Sequence, residues 1–170
     1  MQVLDGAVLV VGQRADITVQ DRVLYRPESV QKKVSALQGR LHPAYGVDYF
    51  AIARNLYPWN LVPDLVIGRP AYDNFMVHVA STHNMSVVDA TQTLTALHQT
   101  DKDGVGSGHR RSDSQYNRKT LSRFQSQRGC GATSCTAYKT RWHTEPVSMS
   151  RLIVKQKRRR VVVERRKIKK

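Results

Sequence analysis

Long apolar runs are missing from this 170-residue chain. The amino-terminal run Ala7–Val11 has five residues and no basic residue before it, too short for a signal sequence and far short of a membrane span. No membrane segment is therefore expected, and the chain reads as soluble. Cysteine is scarce too. Cys130 and Cys135 cannot build a disulfide framework, and by themselves they report no redox compartment, so localisation stays open. Acidic residues are the third shortage, 13 against 28 Lys and Arg, for a formal charge of +15. The imbalance is uneven: residues 1–100 carry eight acids and eight bases, whereas residues 151–170 carry eleven bases and the single acid Glu164. The folded-looking part is neutral, and basicity belongs largely to a tail.

What is present reads as an α/β chain of one domain plus an appendage. Ala7–Val11, closed by Gly12, has the continuous branched-aliphatic character of a strand buried on both faces. Few residues precede it, so the sheet is expected to begin in mid-element. Pro27 and Glu28 open a helix with Val30, Val34 and Leu37 on one face, stopped by Gly39. Tyr49–Ala53 is a second apolar run, and Pro58 and Pro63 punctuate the loop after it. A helix is predicted from Pro70 onward with Phe75, Met76 and Val79 inward, then a strand at Val87–Val88. Thr91–Leu97 alternates Thr with apolar residues and is predicted to be extended. Residues 101–119 are rich in Gly, Ser and charge and read as a link without regular structure. The expected divisions are 1–100, a loop-rich extension at 101–145, and a basic disordered tail at 146–170. Val161–Val163 forms an apolar island in that tail that needs cover to pair or coil.

The strings GVDYFAIARNLY, VIGRPAYDNFMVHVA, VVDATQTLTALHQTD and DGVGSGHR, with Asn117 after them, resemble a family of nucleotide-diphospho-sugar transferases. The likeness is centred on residues 46–120. It extends weakly back to VLVVGQRADI and forward to about Trp142, and leaves out the stretch from Arg151. The resemblance implies the C-terminal half of a GT-A-type sheet flanked by helices, without the half that holds the nucleotide. A glycosyltransferase-like partial domain, inactive by itself, is the function it implies. Nucleotide sugar and acceptor would be the partners of a completed domain, and a divalent metal, Mn or Mg, its cofactor. Asp73, in the first turn of the Pro70 helix, is implied as the acceptor's base or as a grip on the donor sugar. Arg69, Asn74, Gln99 and Asp101 are implied as substrate contacts, and His98 as a late metal ligand. A helix-start carboxylate stabilised by the helix dipole, and a hydrogen-bonded structural histidine, are the plain alternatives for Asp73 and His98. Asp89 reads as a structural hydrogen-bond acceptor.

Other signals read more plainly. Gly104, Gly106 and Gly108 imitate a phosphate loop but lack the apolar helix that must follow, so a linker is expected. Cys130 and Cys135 with His143 lack a fourth zinc ligand, which leaves free thiols or one local disulfide. Clustered Lys and Arg at 151–170 suit a polyanion, so the alternative function is a nonenzymatic nucleic-acid or polyanion binder acting through the tail.

Overall fold

The structure, a computed structural model, describes residues 6–17, 40–53, 55–94, 96–99, 113–124, 131–143 and 160–165. It is a mixed α/β arrangement of two sheets with few helices. β1 (Val8–Gly12) is central, as its apolar run demands, with Leu9 and Val11 almost fully buried. β4 (Tyr49–Ile52) pairs antiparallel on one side, Leu9 facing Ile52, and β5 (Ser86–Asp89) pairs parallel on the other, Leu9 facing Val87. Both neighbours thus come from downstream, which corrects the expectation of a sheet begun in mid-element. β7 (Tyr138–His143) continues parallel beside β5, and β8 (Arg160–Arg165) closes the five-stranded sheet antiparallel to β7. The disordered-tail expectation fails for these last residues. Val161–Val163 pair with Thr140–Trp142, and Arg141 forms an ion pair with Glu164.

A three-stranded sheet grows from the same two chain segments. After Gln13, β2 (Arg14–Ile17) pairs in parallel with β6 (Ala96–Gln99) and antiparallel with β3 (Arg40–Leu41). Between β5 and β6 the chain does not stay extended. Thr93 and Leu94 both return their N–H groups to the Ala90 carbonyl, so Thr91–Leu94 is a turn, and the predicted extension is confined to Ala96 onward. Gly12 sits at the junction of the sheets, where an added Cβ would fall 1.9 Å from the Tyr49 hydroxyl. Only glycine lets that ring cross the strand end.

α1 (Tyr72–Thr82) lies on the larger sheet and buries Met76, Val77, Val79 and Ala80 against Leu9, Val11 and Val87. It begins two residues later than predicted. Ala71 holds a left-handed backbone, φ 76°, and its carbonyl accepts the first helical bond from Phe75, so Pro70 belongs to the preceding turn. The proline-punctuated loop is tied down by the Tyr57 hydroxyl, which donates to the Met76 carbonyl at 2.8 Å. α2 (Tyr116–Leu121) occupies residues expected to be unstructured, because Asn117 inserts its side chain into the fold. The helix predicted at Pro27–Leu37, the glycines at 104–108 and the island Leu152–Val154 lie outside the described residues.

Leu9→Ala should lower unfolding free energy by about 2–5 kcal/mol in denaturant melts. Truncation before Arg160 should bare the edge of β7 and raise self-association, read by light scattering. A truncated chain that stays as monodisperse as the full one would show that β8 contributes nothing to the sheet.

Candidate functional site

The carboxyl ends of parallel strands leave unpaired polar groups and a crevice where connections diverge, the usual place for ligands in open α/β sheets. Here β1 and β5 end side by side at Gln13 and Asp89, and the loop from His42 to Asp48 lies across them. Gln13 is buried and fully engaged. Its N–H donates to Thr91 Oγ1, its Nε2 donates to the His42 carbonyl, and its Oε1 accepts from the Thr133 hydroxyl. Asp89 accepts from the Thr91 N–H at 2.9 Å and from its hydroxyl, the structural role expected of it.

The His42–Asp48 loop meets a different element at nearly every residue. The Ala44 carbonyl accepts from the Thr133 N–H, and the Tyr45 carbonyl accepts from Asn74 Nδ2 at 2.7 Å. The Val47 N–H donates to Asp73 Oδ2 at 3.1 Å, and the Asp48 N–H donates to the Gly12 carbonyl. Asp73 and Asn74 therefore reach the same loop from the first turn of α1. Burial pushes the Asp73 carboxyl above the usual carboxylate range, and the nearby Asp48 charge adds to the rise. The N–H groups of Val47, Asn74 and Asp73 itself pull the other way without cancelling it. A carboxylate held above its ordinary pKa beside a second carboxylate can exchange a proton with a bound hydroxyl.

Beside it lies a charged row that sequence reasoning missed. Arg14 Nε donates to Asp16 Oδ1 at 2.7 Å and Arg14 Nη1 to Asp48 Oδ1 at 2.6 Å, while His42 Nδ1 lies 2.9 Å from Asp16 Oδ2. Burial alone would raise the Asp16 carboxyl, but the hydrogen bonds from His42 and Arg14 outweigh it and hold it low. The spacing of Arg14 and Asp16 was a usable signal, since residues two apart share one face of a strand. His42 and Asp48 gave none, because only the return of the loop brings them there.

Arg69 stands apart from this group. Its Nε and Nη2 make a two-pronged contact with Asp113, at 2.8 and 2.9 Å. The turn that carries it is fixed by Asn117, 0% exposed, which accepts from the Val66 N–H and donates to the Val66 and Arg69 carbonyls. His98 lies in β6 directly across from Asp16. Gln99 closes β6, and Asp101 lies outside the described residues.

The chain matches no family model, no curated protein and no solved structure.

Asp16, the neighbour of His98 across the strands, has both oxygens engaged by Arg14 and His42 and so offers no free oxygen to a cation there. Among the described residues no three His, Cys, Asp or Glu side chains converge on a metal position.

Asp73 and Asp16 make opposite predictions for pH. Asp73, raised in the native state, weakens stability as pH climbs from its unfolded value through its folded one; Asp16, lowered, supports stability above its unfolded value and loses that support as pH falls. Asp73→Asn keeps an oxygen for Val47 and removes the buried charge. Denaturant melts from pH 3 to 8 should show the variant gaining on the parent as pH rises above about 4, then holding a constant margin. A margin independent of pH would mean that Asp73 is not perturbed. Asn117→Ala should cost about 1–3 kcal/mol, since it empties a fully buried side-chain site and leaves the Val66 N–H without its acceptor, while the Val66 and Arg69 carbonyls keep the Arg69 and Tyr72 N–H groups. Asp113→Ala, which breaks a pair with one half-exposed partner, should cost under about 1 kcal/mol.

Proposed function

We propose that the chain is a glycosyltransferase-like unit, a partial GT-A-like sheet that carries the acceptor side of sugar transfer from a nucleotide-diphosphate donor and is inactive by itself. The observation that carries this reading is the Asp73 carboxyl, raised by burial and by Asp48, at the start of the helix that faces the crevice loop. Inverting transfer needs a group that takes the acceptor hydroxyl's proton, and a base with a raised pKa does so more readily than an ordinary surface aspartate. Asn74, bonded to the Tyr45 and Gly131 carbonyls, holds the first turn of α1 in place beneath that carboxyl. Arg69, paired with Asp113, would reach substrate from the IGRP turn under this reading.

Transfer also needs charge neutralisation at the departing diphosphate, by a metal or by a cluster of donors. Among the described residues no three His, Cys, Asp or Glu side chains group around a metal position, and under this reading the diphosphate contacts come from the nucleotide-binding half that would complete the domain.

Calorimetry on this chain with UDP or GDP and Mn²⁺ should therefore show no affinity at millimolar concentration, and nucleotide sugars should not be hydrolysed. Metal-dependent binding by the chain alone would overturn the partial-domain reading. In a domain completed by a nucleotide-binding half, Asp73→Asn should lower turnover by roughly 10²–10⁴ while changing nucleotide affinity little. Unchanged turnover would remove the role given to Asp73.

A further inference from the structure

Among the described residues nine large apolar side chains stand exposed, and six of them fall on one loop and on the helix tied to it. Leu56, Trp59, Leu61, Val66 and Ile67 lie on the proline-punctuated loop ahead of α1, with Ile67 75% exposed. Tyr116 opens α2, next to the Asn117 that bonds both the N–H and the carbonyl of Val66. Single exposed apolar residues need no explanation, but a concentration of them within residues 56–67 does.

Three anchors hold this loop to the body of the fold. Tyr57 turns inward and donates its hydroxyl to the Met76 carbonyl, while its ring meets that of Trp59 with centroids 4.6 Å apart. Val62 packs against the core cluster, and the Val66–Arg69 turn is fixed by Asn117 and by the Arg69–Asp113 pair. Between the first two anchors, the Leu61 N–H donates to the Pro58 carbonyl and the Val62 N–H to the Trp59 carbonyl, forming a short helical turn with no buried residue. A loop already ordered with its apolar side chains outside loses little freedom when those side chains make a contact.

The charge beside the loop is of one sign. α2 and the turn Ser122–Phe124 after it carry Arg118, Lys119 and Arg123, all exposed, and no acid. Asp64 is the exposed acid within the loop, and Asp113 is paired with Arg69. We propose that this face is a peripheral docking surface for an anionic lipid membrane. Trp59 and Tyr116 suit the headgroup level, Leu56, Leu61 and Ile67 the acyl boundary below it, and the cations of α2 the anionic headgroups. A second copy of the chain seated here would bring the cations of both copies together, whereas anionic lipid neutralises them. An acidic protein would also answer the cations. Their segregation onto α2, apart from the apolar loop, matches the layering of a bilayer surface, with charge above hydrocarbon. No step of this inference draws on sugar transfer.

Vesicle binding tests the surface, using the full chain with Trp142→Phe so that Trp59 is the tryptophan that remains. Vesicles of equal parts phosphatidylcholine and phosphatidylserine should shift Trp59 emission to the blue, and lipids brominated on their acyl chains should quench it. Phosphatidylcholine alone should do neither. Ile67→Asp should weaken partitioning at least about tenfold and leave the denaturant melt unchanged, since that side chain stands in solvent. Replacing Arg118, Lys119 and Arg123 together by Gln should weaken it about fivefold for each charge removed. Should Ile67→Asp disturb the melt, this second variant, whose altered side chains are all exposed, decides. Vesicle binding that leaves Trp59 unshifted and unquenched would overturn the proposal, because the basic residues of 151–170 would then be acting alone. So would an absence of partitioning, which leaves an acidic protein as the partner. A blue shift that grows with protein concentration in the absence of lipid would assign the face to a second copy instead.

Discussion

A buried amide side chain cannot be left unpaired without a cost comparable to a lost hydrogen bond, and Gln13 is where this chain meets that constraint. It stands at the point where one long segment leaves the five-stranded sheet as β1 and enters the three-stranded sheet as β2. The bend takes its backbone out of the regular ladder, and three separate parts of the chain come in to satisfy it: Thr91, the His42 carbonyl and Thr133. The crevice loop, the turn after β5 and the Thr133–Cys135 turn are all held in relation to each other through this residue. The charged row and the Asp73 carboxyl are built on that frame.

The frame explains why the carboxylates of Asp16 and Asp73 behave differently. Asp16 lies within reach of a guanidinium and an imidazole, so its charge is compensated and its burial is tolerable. Asp73 receives N–H groups only, and partial charges from amides do not offset desolvation plus the neighbouring Asp48.

Local pattern was enough for the elements whose neighbours lie close in sequence or whose apolar character is unbroken. Val8–Gly12, Tyr49–Ile52, Ser86–Asp89 and the helix carrying Phe75, Met76 and Val79 were all legible from composition and spacing. What misled were segments decided by partners. Thr91–Leu94 has the alternation of a strand, yet its carbonyl at Ala90 is better satisfied by a turn. Tyr116–Leu121 looks polar enough for a link, but Asn117 makes three hydrogen bonds to the backbone of the Val66–Arg69 turn, about fifty positions earlier. Val161–Val163 gains its place from β7, about twenty positions earlier. In the candidate site, Asp73 and Asn74 were readable from the helix start, whereas Gln13, His42 and Asp48 acquire meaning only through long-range pairing.

The pairing of β1 with β5 also sets an order of events during synthesis. Val8 waits for Ser86, and Gln13 for Thr91, 78 positions later. At ribosomal speeds of about 5–20 residues per second, that gap leaves an apolar strand without its parallel neighbour for roughly 4–16 s. Until β5 emerges, Val8–Val11 has only the antiparallel edge of β4 to lean on, and closing the longer loop carries the entropic delay typical of parallel sheets. The nascent chain is therefore the form of this protein most in need of a chaperone's shelter.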